Sequence, residues 1–176
     1  MPLLSKLLET AQPAALGPGP RPGVISEREL NASLDAEFKR ANGTVENQGA
    51  IRALILLWHD HLDAAHTLAQ GIDNADGAYV HALMHRREPD YSNAAYWFRR
   101  VGQHRAFPEL ARRAGDLLKR SGKGELEATL LKRGIWDPFA FVHACEQAAT
   151  GSLSEDDAKC LREIQRAEFE VLLAVL

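Results

Sequence analysis

Two stretches of this chain, Asp60 to Gln70 (DHLDAAHTLAQ) and Asp90 to Arg100 (DYSNAAYWFRR), carry one skeleton thirty positions apart. Each runs Asp, aromatic or His, two spacers, an Ala-Ala pair, then a further aromatic or His. Self-similarity at a spacing of roughly 20 to 50 residues marks stacked helical hairpins, because a lone hairpin cannot bury its apolar face and stacks on the next. The echo restricts the fold to helical layers before composition is weighed.

Composition agrees with a globular chain: 176 residues, 45% hydrophobic and 26% charged, suffice for one domain with its own core. The two cysteines, Cys145 and Cys160, and an N-terminus without a charged start, apolar middle and cleavage site lead us to expect reduced thiols and a cytoplasmic protein. The longest apolar run, Ala53 to Trp58, falls far short of the roughly 20 residues of a membrane helix, so no span is expected. Charge is uneven. Residues 77–121 hold nine Arg or Lys against four Asp or Glu, a net of +5 on a chain of net charge -3. A single basic island between acidic flanks gives little counterion release, which disfavours nucleic acid as a partner.

The predicted architecture is all-α, with eight or nine helices in stacked hairpins. Leu3, Leu4, Leu7 and Leu8 predict a short amphipathic helix ending by Pro13, and Gly17 to Gly23 (GPGPRPG) reads as a linker in which neither helix nor strand continues. Residues 1–23 are thus set apart from a single helical domain over 24–176. Ser26 and Glu29 form a capping-box pair that starts a helix running to about Arg40. Further helices are expected over 45–59, 62–70, 78–87, 91–101, 108–118, 125–133, 137–149 and from Ser154 onward, separated by Gly, Pro and Asn-rich turns. No alternating window is long enough for a strand. Packing of the terminal helix on its own domain is the default, and a homodimer through it the alternative to a monomer.

The stretch Ala78 to Val101 resembles a tetratricopeptide-type hairpin, with Ala82 as the small residue of its first helix, Tyr91 before its second, and Ala94 and Phe98 four apart within it. The early Trp and Gly of that pattern are absent, and the thirty-residue offset is shorter than the family's period. The block HRREPDYSNAAYWFRRVG is also similar to a stretch in bacterial and fungal proteins of uncharacterised activity. What the tetratricopeptide resemblance implies is an interaction scaffold that binds partners rather than turning over substrates.

Two constellations carry chemistry. Six of the seven histidines lie between His59 and His104, and His81 and His85 stand four apart, on one face of a helix. That spacing holds a divalent metal ion such as zinc, iron, nickel or manganese when a third ligand arrives. His66 is the candidate, with Glu88 or Asp90 as carboxylate. Ala82 follows His81 where helical zinc proteases carry their general base, so the protease mechanism lacks its Glu. The competing reading is of half-buried imidazoles bonded to carbonyls and carboxylates. The second constellation sets Arg86 and Arg87 against Tyr96, Trp97, Arg99 and Arg100, a guanidinium and aromatic set suited to a small anionic ligand or an acidic protein segment. Its alternative is an ion-pair network with Glu88 and Asp90. Both cysteines read as core residues. The leading expectation is a non-enzymatic scaffold for an acidic partner; the alternative is a metal-binding protein or metal-dependent hydrolase.

Overall fold

Capping side chains set where half of the ten described helices begin. The computed structural model describes residues 2–176, with Pro2 and Leu3 as backbone only, so the expected packing of Leu3 lies outside the described residues. After α1 (Pro2–Lys6), the Ser26–Glu29 capping box starts α2 (Glu27–Arg40). α3 (Gln48–Trp58) and α4 (Leu62–Ala69) follow. Asn74 accepts from the Gly77 N–H to start α5 (Ala75–Arg87), and Asp90 accepts from the Asn93 N–H to start α6 (Tyr91–Val101). Pro108 occupies the first turn of α7 (Phe107–Arg120), which leads to α8 (Gly124–Leu130). Asp137 caps α9 (Pro138–Ala149) and Ser154 caps α10 (Glu155–Val175). The class is all-α, with ten helices among the described residues, near the eight or nine expected.

One expectation is corrected. The helix read over 125–133 stops at Leu130, and β1 (Leu131–Lys132) pairs antiparallel with β2 (Ile135–Trp136). Arg133 and Gly134 both take positive φ, the two-residue turn that suits a tight hairpin. Strands of two residues are too short to show alternation in sequence.

The core is layered by consecutive hairpins. α3 packs on α4, α4 on α5 and α5 on α6, while α10 lies against α3, α7 and α9. The two hairpins turn alike: His61 N–H donates to Leu56 O at 3.0 Å, and Asp90 N–H donates to His85 O at 2.9 Å. Each bond is the six-to-one closure of a helix C-terminus. In the second helices, Ala65 and Ala69 of α4 are buried as Ala94 and Phe98 of α6 are. The structural offset is therefore 29 residues, one fewer than the letters suggest, and Ala65, not Ala64, matches Ala94. Each Ala-Ala pair offers two candidates for the close approach, and the turn selects one.

The segment between α1 and α2 lies against the helices. Ala14 is buried, Arg87 Nε donates to Ala15 O at 3.1 Å, and Gln165 Nε2 donates to Ala14 O and Ala15 O at 3.0 Å each. Arg21 pairs with Asp60 at 2.5 Å, and Ile25 N–H donates to His59 Nδ1 at 3.2 Å. A Pro- and Gly-rich strand of chain cannot satisfy its own carbonyls, so side chains of the bundle do. Among the described residues no helix is long and apolar enough to cross a membrane.

Candidate metal centre

α5 is enclosed by its neighbours, and every residue from Asp76 to Arg87 is buried. A helix in that position needs a partner for each polar side chain it carries. His85 and Arg87 have them, Arg86 has them at Nη2 but not at Nε or Nη1, and His81 has none. Its Nδ1 and Nε2 are both buried without a hydrogen-bond partner among the described residues, and the residue as a whole is 3% exposed.

His81 and His85 project from α5 toward His66 of α4, which puts one ligand nitrogen from each ring within 4.8 Å of the others. A tetrahedral ion with metal–nitrogen bonds of about 2.0–2.1 Å spaces its ligands about 3.3 Å apart, so the nitrogens would draw together by up to about 1.5 Å to hold one. The rings are edge-on between helices, His66 to His81 at 4.7 Å and His66 to His85 at 5.3 Å, and face-on within α5, His81 to His85 at 4.8 Å. The indole of Trp97 on α6 lies 3.9 Å from His81 with the planes 18° apart.

Protonation favours lone pairs over charge here. Burial, with the neighbouring His85 and His66, pushes His81 down to about 4, and burial also lowers His85 despite the Glu88 carboxylate. His85 Nδ1 lies 3.2 Å from Glu88 Oε2, and Asn93 Nδ2 lies 3.1 Å from His85 Nε2. An Nδ1–H tautomer donates to Glu88 and turns its one lone pair, on Nε2, toward Asn93, which would have to release it for His85 to bind an ion. Glu88 thus orients His85 rather than joining the convergent triad, and Asp90 is spent on capping α6. Three imidazoles without a thiolate or carboxylate in the cluster suit first-row transition ions rather than magnesium or calcium.

The arginine constellation is not brought together. Arg86 and Arg87 are each 0% exposed, so neither faces a surface partner. Arg86 pairs with Glu168 of α10 at 2.5 Å and lies 4.5 Å from the Phe141 ring centroid. Arg87 pairs with Asp60 at 2.6 Å and donates to the carbonyls of Leu57, Ala15 and Gly17. The alternative pairing with Glu88 and Asp90 is corrected too, since the carboxylates come from Glu168 and Asp60. Only the α6 half remains outside: Tyr96 is 48% exposed, Arg99 is exposed, and Arg100 lies over Trp97 and 3.7 Å from Asp73. Asp60, Glu168 and Asn93 carry no signal in isolation; they matter because the fold sets them against α5.

Three of the other four histidines are bonded in place across the fold. His59 donates through Nε2 to Leu7 O at 2.7 Å, His61 donates to Ile25 O at 2.9 Å, and His104 donates to Asp76 at 2.9 Å. Both cysteines are buried free thiols, and burial pushes Cys145 up to about 12. Comparison with models of known protein families, with curated proteins and with solved structures finds no match.

Proposed function

We propose that this protein binds a divalent first-row transition ion, of the zinc, nickel, iron or manganese group, between His66, His81 and His85. The observation that carries this reading is the buried His81 ring, with both nitrogens unpartnered, in a cluster whose ligand atoms lie within 4.8 Å of one another. Leaving polar atoms buried and unpaired costs roughly 1–3 kcal/mol per group, and an ion would remove that cost at the one nitrogen that coordinates it. The site is formed by α4 and α5, so the ion bridges the first hairpin to the second. Three protein ligands leave a fourth position for water or an exogenous ligand. Binding rather than hydrolysis is proposed, because Ala82 follows His81 and Glu88 is engaged by His85.

Elemental analysis and zinc or nickel titration of protein purified without a histidine tag test the proposal. One equivalent is expected, with a rise in melting temperature that chelator reverses, and His66→Ala or His81→Ala should abolish both. No stoichiometric uptake, with melting indifferent to chelator and added ion, would remove the reading.

A further inference from the structure

His85, His59, His61 and His104 each hold their ring plane through hydrogen bonds at ring nitrogens. His81 makes none, yet its plane is defined. It lies between two parallel faces, Trp97 at 3.9 Å and 18° on α6 and His85 at 4.8 Å and 15° one turn along α5. Arg100 sits 5.3 Å from the indole centroid, and Tyr96 meets it edge-on at 5.5 Å, so the indole is braced in turn.

Metal-ligating imidazoles are ordinarily oriented by donating their second nitrogen to a carboxylate or carbonyl, which fixes tautomer and plane. Here both nitrogens are uncommitted. We propose that Trp97 is the positioning residue of the metal centre: its indole holds the His81 ring by face-to-face stacking, in place of that hydrogen bond, and thereby sets the affinity for the ion. The inference rests on the triad binding metal and adds the residue that tunes it.

A contact raises affinity only if it is stronger in the loaded state than in the empty one. Stacking on Trp97 meets that condition. Coordination withdraws electron density from the imidazole and leaves it partly cationic, and the electron-rich face of an indole attracts such a ring more than a neutral one. The indole also keeps water from that face of His81, where the Coulomb interactions of the ion are correspondingly strong. Because α6 supplies Trp97, the second hairpin contributes both of its helices to a site whose remaining ligand comes from α4.

Zinc affinity is measured by competition with a chromophoric chelator for untagged wild type, Trp97→Phe and Trp97→Leu, each checked by circular dichroism in chelator. Trp97→Leu should weaken binding about 10- to 100-fold, the usual effect of losing a residue that orients a ligand, and Trp97→Phe should restore most of it. In the unmodified protein, bound nickel should quench the emission component that Trp97→Phe removes. If wild type takes up zinc and Trp97→Leu matches it, or Phe binds no better than Leu, the stacking role is wrong while the triad stands. Nickel binding that leaves Trp97 emission unchanged overturns it equally, and a wild type without uptake overturns both proposals.

Discussion

Four buried imidazoles, His59, His81, His85 and His104, are held neutral because burial penalises their charged form. The unfolded chain takes up a proton on each near the ordinary value of 6.5, whereas folded His81 waits until about 4. Over that window the unfolded state binds more protons, so stability falls as pH drops from 6.5 and the loss levels off below the folded values. His81 accounts for at most about 3 kcal/mol of it. Urea denaturation of chelated protein at pH 7.5 and pH 5 should show the lower midpoint at pH 5; equal midpoints would contradict neutral burial. His81→Leu separates site from scaffold. Replacing an unpartnered polar ring by an apolar side chain of similar bulk should leave chelated protein as stable at pH 7 or more so, while metal uptake disappears. A large loss of melting temperature in chelator would instead make His81 a structural residue. The His81–His85 pair was legible as a four-residue spacing, but Trp97 read as part of a ligand-binding surface. Only the tertiary approach of α6 shows its face against an imidazole.

At the scale of elements, what could be read in advance followed the caps and breakers. α6 and α9 begin and end where the sequence places them, because Asp90, Gly102, Asp137 and Thr150 act locally. α5 starts three residues before the expected Ala78, since Asp73, Asn74 and Asp76 can all cap and tertiary packing chooses Asn74. The same first turn holds the glycine with the tightest surroundings among those described. A Cβ on Gly77 would meet Ile72 O at 2.4 Å and Ile72 Cβ at 2.5 Å, neither of which is the far end of a flexible side chain. Gly77→Ala should therefore displace the α4–α5 connection and cost about 1–3 kcal/mol, with metal affinity falling as His66 and His81 move apart. Gly124→Ala in α8 meets nothing within 4 Å and should stabilise by about 0.4–1 kcal/mol through the unfolded chain. Equal effects of the two substitutions on thermal unfolding would show that Gly77 is chosen for no steric reason.

Across the whole molecule, adjacent residues of α5 tie down opposite sides. Arg86 reaches Glu168 and Gln165 of α10, and Tyr79 O–H donates to the other Glu168 oxygen at 3.0 Å. Arg87 reaches Asp60, the end of α3 and the carbonyls of the segment between α1 and α2, which Gln165 grips from α10. A charge pattern cannot reveal this, because the partners stand 27 and 82 residues away. Two arginines of the basic island thus lie at the buried centre of the bundle, paired with carboxylates from its two acidic flanks. Buried pairs are no guarantee of net stability, but removing one member strands the other and costs about 3–5 kcal/mol. Arg87 is exacting in a further way, since its planar fork serves one carboxylate and three carbonyls at once, which the single ammonium of lysine cannot reproduce. Arg87→Lys should consequently fail to rescue Arg87→Met, and both variants should become sensitive to limited proteolysis within residues 9–25 before the helices are cut. A lysine variant as resistant as wild type would show that a positive charge, rather than the guanidinium's geometry, holds this segment to the bundle.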